Sequence, residues 1–144
     1  RHHRLRGLLG LDPHASAWGY VIAEPAVSDP QEVLAFLEAK GWLYLVDGRG
    51  NGPRMAAELP GSLLDLDDDP YRSLVWKLKK EGFIKPQPQI PYHEFRWGAW
   101  LRRRPLPPFS SRSLEPALAP ARRLVCSPAA SDMAGWRGDK KNCR

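Results

Sequence analysis

The chain has 144 residues, with 15 prolines, 12 glycines and a net charge of +6. A chain of this length predicts one compact domain and excludes a large multi-domain enzyme. The frequent prolines and glycines interrupt long helices, so a coiled coil and a helical repeat are excluded as well. The excess of basic side chains favours a polyanionic partner. No apolar run reaches the roughly 18 residues that a membrane-spanning helix needs.

The first ten residues are basic: they hold three arginines, two histidines and no acidic side chain. A basic, acid-free N-terminal stretch is typical of what remains after import into an organelle. We therefore interpret residues 1–10 as a basic N-terminal arm and predict a mitochondrial location.

The clearest local patterns lie in the region from residue 11 to residue 91. In two segments an Asp-Pro pair predicts a helix start, because aspartate caps a helix and proline suits its first turn. Each predicted helix ends at a glycine, which tolerates left-handed geometry, and an aromatic residue follows. The helix starts are Asp29-Pro30 and Asp69-Pro70, and the helix ends are Gly41-Trp42 and Gly82-Phe83.

Strand patterns accompany these helices. Aromatic and β-branched side chains predict a strand after each glycine, at residues 42–46 and 83–84, and a further short strand at residues 18–23. The predicted fold class is therefore a small α+β domain over residues 11–91, with two helix–glycine–strand units and a short N-terminal strand. Whether the two units form a true repeat stays open.

Residues 92–104 interleave four large aromatic side chains with four arginines. Arginine pairs with phosphates and aromatic rings stack with bases, so this connector predicts contact with RNA. The alternative is that the aromatic rings pack on the domain and the arginines are only solvated. The predicted RNA-binding residues, which include two arginines farther along the chain, are Arg96, Trp97, Trp100, Arg102, Arg103, Arg104, Arg122 and Arg123.

The remaining residues, 105–144, lack a sustained apolar period. Residues 85–144 together carry a net charge of +8 and nine of the 15 prolines. This composition predicts that residues 105–144 form an extended tail that partner molecules order. The tail contains both cysteines, Cys126 and Cys143, without the spacing of a metal site. We predict two reduced thiols and leave a single disulfide open.

One segment near the N-terminus suggests a nuclease. Residues 8–13, Leu-Leu-Gly-Leu-Asp-Pro, together with residues 19–22, resemble the first hairpin of RuvC-like nucleases of the ribonuclease H superfamily. The resemblance implies that Asp12 binds a catalytic metal ion. Further carboxylates would have to converge on the same site, because two metal ions clamp the phosphate in such enzymes. His14 stands where that family has glycine.

Other catalytic patterns are missing from the sequence. The serines and histidines have no nucleophile motif, and the glycine-rich residues 48–52 lack the Lys-Ser/Thr of a phosphate loop. We predict a non-catalytic structural subunit without cofactor or metal, most simply a mitochondrial ribosomal protein in contact with rRNA and neighbouring subunits. The alternatives are an accessory subunit of a mitochondrial or plastid membrane complex, and a metal-dependent RuvC-like nuclease that uses Asp12.

Overall fold

A computed structural model describes residues 2–27, 29–138 and 143. These residues form five α-helices and three short 3₁₀-helices, and no β-strand occurs among them. The helices are α1 (His2–Leu11), α2 (Pro30–Ala39), α3 (Pro70–Lys80), α4 (His93–Arg102) and α5 (Glu115–Cys126); the 3₁₀-helices are Ala56–Glu58, Leu63–Asp65 and Pro128–Ala130. None of the described helices is both long and apolar enough to cross a lipid bilayer.

The predicted α+β fold is wrong, because the segments with strand character find no strand partner in the described chain. Residues 18–23 are irregular, and the side chains of Trp18 and Tyr20 are almost fully exposed. In the predicted strand at residues 42–46, the Leu45 carbonyl oxygen accepts the Arg54 N–H at 2.7 Å, but this pairing does not form a β-ladder. A strand is stable only beside a neighbouring strand, and the alternation of side chains does not reveal whether one exists.

The chain divides into two compact units, which do not follow the predicted boundaries at residues 10, 91 and 104. The first unit comprises residues 1–47 and 51–67, and the second comprises residues 48–50 and 68–144. In the first unit, α2 packs on the 3₁₀-helix Ala56–Glu58, and α1 packs on the 3₁₀-helix Leu63–Asp65. No described side chain of this unit is buried.

The second unit holds the hydrophobic core. Helix α3 packs against both α4 and α5, and the buried apolar side chains come from these three helices, from Ile84 between α3 and α4, and from Ala130 after α5. The core residues are Leu74, Val75, Leu78, Ile84, Trp97, Leu101, Ala117, Leu118, Ala121, Val125 and Ala130.

The prediction of an extended C-terminal tail is therefore wrong. Residues 115–126 form α5, and four of its side chains are fully or almost fully buried in the core. These four positions, 117, 118, 121 and 125, have the spacing of one helix face. Two prolines made this helix hard to predict. Pro116 lies in the first turn, where the backbone N–H has no partner within the helix. Pro120 removes one backbone hydrogen bond inside the helix, and the burial of the apolar face outweighs that loss.

The helix ends are where the local signals placed them. Asp69 caps α3, and Gly82 follows this helix with a φ of 82°. The Phe83 N–H then donates to the Leu78 carbonyl oxygen, which is the hydrogen bond of a glycine-terminated helix. Phe83 packs against the core, whereas Trp42 in the other unit stays 43% exposed because the described residues of that unit form no buried core.

Cys126 and Cys143 form a disulfide, so the prediction of two reduced thiols is wrong. Their Cα atoms lie 5.3 Å apart although 17 positions separate them in the sequence. After α5 the chain turns back, and Met133 and Trp136 pack against the core. Only this reversal brings the second cysteine near the end of α5.

Candidate functional site

A cleft of about 500 Å³ lies beside α4, inside the second unit. One wall is a face of α4, whose residues recur every three or four positions, together with Arg103 and Arg104 just after the helix; the other wall is the turn at residues 132–134. The lining residues are His93, Arg96, Trp97, Ala99, Trp100, Arg103, Arg104, Asp132, Met133 and Ala134. Three arginines and one aspartate therefore make the lining basic.

His93 and Trp97 tie the two walls together. The Trp97 Nε1–H donates to the Ala134 carbonyl oxygen at 2.8 Å, and the His93 Nε2 lies 2.7 Å from the same oxygen. Because a carbonyl oxygen only accepts, the hydrogen of a neutral His93 ring is on Nε2. The His93 Nδ1 is buried without a hydrogen-bond partner among the described residues, so it is left as an acceptor.

Trp100 and Arg104 form a stacked pair at the cleft. The Arg104 guanidinium carbon lies 3.8 Å from the Trp100 ring centroid, and Nη1 donates to the Trp100 carbonyl oxygen at 3.2 Å. The Trp97 ring meets Trp100 edge to face at 5.7 Å between centroids. These contacts hold a planar basic and aromatic surface in a defined orientation.

Arg96 and Arg103 are the exposed arginines of the cleft. Neither forms an ion pair with an acidic side chain in the part of the chain that the structure describes. Their guanidinium groups are therefore available to a ligand from solvent. Arginine presents a fork of N–H donors that matches phosphate oxygens.

Arg102 does not line the cleft, although it was predicted to bind RNA together with its neighbours Arg103 and Arg104. Its Nη2 donates to Asp69 Oδ1 at 2.8 Å, and its guanidinium carbon lies 4.4 Å from the Tyr71 ring centroid. A Cβ atom on Gly50 would come within 2.6 Å of the Arg102 side chain, so this glycine makes room for it. Arg102 has a structural role.

The two predicted arginines of α5 also lie away from the cleft. Arg122 forms a two-bond ion pair with Glu81, with both N–H···O distances at 2.9 Å. Arg123 is exposed in the last turn of α5 and is not among the lining residues. The structure thus brings together Arg96, Trp97, Trp100, Arg103 and Arg104 from the predicted set, and their role in RNA binding stays a prediction.

His93 and the turn at residues 132–134 were not among the predicted site residues. His93 had a usable signal, because it precedes Trp97 by four positions and so shares its helix face. Asp132, Met133 and Ala134 had none: only the packing of α5 and the reversal after it bring them to α4.

Asp12 lies just after α1, and its Oδ1 accepts the His14 N–H at 2.9 Å. Residues 8–11 belong to α1 rather than to a strand, so the resemblance to a RuvC-like hairpin is wrong. The described residues contain no group of three His, Cys, Asp or Glu side chains that could hold a metal ion. The run Leu-Leu-Gly-Leu at residues 8–11 fits the end of a helix as well as a strand, which explains the error.

Comparisons with known proteins give the family. The model of a family described as "Putative ParB-like nuclease" matches residues 1–103. The crystal structure of protein Atu1540 from Agrobacterium tumefaciens is similar, with 30% sequence identity and a TM-score of 0.82. The similarity covers 95% of this chain and 72% of that chain. A search of curated proteins found no match.

These findings overturn the predicted function. The assignment to a mitochondrial ribosomal protein is wrong, and the findings support neither the accessory subunit nor the RuvC-like nuclease. A basic composition is common to many proteins that bind polyanions, so it could not identify the assembly or the family. The mitochondrial location itself is not tested by these findings and stays a prediction. The family model matches residues 1–103, well over half of the chain, so the chain belongs to the family described as putative ParB-like nucleases.

Proposed function

We infer that this chain binds nucleic acid through its phosphates at the α4 cleft, as part of a nuclease-like function. The observation that carries this proposal is the grouping of Arg96, Arg103 and Arg104 around one cleft beside Trp100. A nuclease has to hold a phosphodiester backbone before any chemistry takes place, and arginines at a cleft provide that contact. The family description, which names a nuclease, supports the same substrate class.

The expected binding is electrostatic in part. Each arginine placed on a phosphate releases roughly one counterion, so the affinity falls as salt rises, with a log–log slope of about one per contact. Three cleft arginines predict a contribution of about two to three to that slope. The negative charge of Asp132 repels phosphate on one side of the lining, so we expect the phosphates to approach from the side of the exposed arginines.

The test measures the binding of a labelled DNA or RNA strand by fluorescence anisotropy between 50 and 200 mM salt. The double variant Arg96→Ala/Arg103→Ala should lower the slope by about two. The matched control is Arg112→Ala/Arg123→Ala, which removes two exposed arginines of the same unit outside the cleft and causes the same change in net charge. Equal weakening by both double variants would show that the attraction is general and would refute the cleft as the site.

A second assay addresses the nuclease part of the proposal. The full chain is incubated with a 5′-labelled strand in the presence of Mg²⁺ or Mn²⁺, and separately in the presence of EDTA, and the products are resolved by length. We expect shortened products that decrease in the cleft double variant together with binding. Unshortened strand under every condition, with binding retained, would restrict the function to binding.

A further inference from the structure

The chemistry of the α4 cleft indicates which form of nucleic acid it takes. Its volume of about 500 Å³ lies in the range of small-molecule sites, roughly 300–1,000 Å³. One helix face, the two arginines that follow it and one three-residue turn line it. A site of this kind suits one base with its sugar and phosphate, whereas a duplex needs an extended surface that follows two backbones.

The Trp100–Arg104 pair offers a stacking surface. Single-stranded nucleic acids bind by stacking their bases on aromatic rings or on arginine guanidinium planes, and each stacked base contributes about 1–3 kcal/mol. Inside a duplex both faces of each base are already stacked on neighbours, so such a surface would find no free base face there. The position of this pair in the lining therefore favours an unpaired base.

One acidic group suits the edge of a base. Asp132 is a carboxylate acceptor in the lining. Carboxylates accept hydrogen bonds from exocyclic amino groups of bases. The lining thus contains donors for phosphate, a planar surface for a base and a carboxylate acceptor for the edge of that base.

We propose that the α4 cleft receives one unpaired nucleotide of a single strand, with its phosphates on Arg96 and Arg103 and its base on the Trp100–Arg104 pair. This inference rests on the proposed function, since it specifies the substrate of the same site. It predicts that single strands, and duplexes with a single-stranded overhang, bind more tightly than blunt duplexes of the same sequence.

The experiment compares the affinities of a labelled 12-nucleotide strand, its blunt duplex and a duplex with an overhang. The wild-type chain should bind the single strand and the overhang about tenfold more tightly than the blunt duplex, as the loss of one stacked base would predict. Trp100→Leu should remove this preference by weakening single-strand binding about tenfold, while duplex binding stays unchanged. Trp100→Phe, which keeps an aromatic ring, should retain most of the preference for single strands.

The matched control is Trp76→Leu. Trp76 is an exposed tryptophan of α3, with the Lys80 ammonium 4.6 Å from its ring centroid, so it is also a tryptophan paired with a cation, but outside the cleft. This variant should bind all three ligands like the wild type. Circular dichroism checks that each variant is folded. Should Trp100→Leu unfold, the test is Arg104→Ala, which removes the other member of the stacked pair and should weaken single-strand binding more than duplex binding.

Three results would overturn the inference. Equal affinity for single strand and blunt duplex, with sensitivity to Arg96→Ala/Arg103→Ala retained, would refute the unpaired-nucleotide site and leave the proposed function standing. Competition by a free nucleoside monophosphate as strong as that by the strand would assign the cleft to a small nucleotide instead. No binding of any nucleic acid would refute the proposed function itself, and the inference with it.

Discussion

Asp69 provides the sharpest test of how the second unit is held together. Its Oδ1 accepts the backbone N–H groups of Tyr71 at 3.0 Å and Arg72 at 3.2 Å, which caps α3. The same oxygen accepts Arg102 Nη2 at 2.8 Å. Only 11% of the Asp69 side chain and 22% of the Arg102 side chain is exposed. One carboxylate therefore caps a helix and neutralises a largely buried arginine.

The two contributions can be separated by two substitutions. Loss of an N-cap costs about 1 kcal/mol, and loss of a hydrogen bond to a charged group costs about 1.5–3 kcal/mol. Asp69→Ala removes both, so we expect the free energy of unfolding to fall by about 3 kcal/mol. Asp69→Asn keeps a capping oxygen and removes the charge, so its loss should be about 1 kcal/mol smaller.

The measurement is urea unfolding followed by tryptophan fluorescence, since Trp97 is fully buried in the core of this unit. Asp68→Ala is the control: it removes an exposed neighbouring carboxylate and should change stability by less than about 0.5 kcal/mol. A loss in Asp69→Ala no larger than that of the control would refute the reasoning. Equal losses in Asp69→Ala and Asp69→Asn would contradict a separate contribution of the cap.

Three further predictions concern the same unit. Cys126→Ser/Cys143→Ser should lower the free energy of unfolding by about 3 kcal/mol, the loop entropy expected for a separation of 17 residues, and a reductant should lower wild-type stability equally in urea unfolding. Gly82→Ala should cost about 1–2 kcal/mol in the same assay because of its positive φ, whereas Gly98→Ala, inside α4 with no positive φ and only ordinary contacts for a Cβ atom, should not. Burial raises the pKa of Tyr92, so the contribution of this side chain to stability is present below about pH 10 and is lost as the pH rises through the raised pKa. The melting temperature should therefore fall at alkaline pH, and Tyr92→Phe should remove the part of this fall that Tyr92 causes.

Local signals in the sequence were sufficient for the ends of α2 and α3. The aspartates that cap these helices, Asp29 and Asp69, accept backbone N–H groups within three residues, and Gly41 and Gly82 follow with positive φ. Such interactions depend on neighbours in the sequence, so the residue pattern alone predicts them. The interleaved arginines and aromatic rings of residues 92–104 likewise indicated one wall of the candidate site.

Long-range packing decided the rest. The strand patterns failed because a strand needs a partner that local alternation cannot reveal, and α5 was missed because its prolines obscured a face that only packing on α3 makes apparent. Arg102 and Arg103 are adjacent in sequence, yet Arg102 pairs with Asp69 while Arg103 lines the cleft. Successive residues at a helix end differ by about 100° in direction. Composition therefore predicts how many arginines this segment carries, and only the tertiary structure determines which of them a ligand can reach.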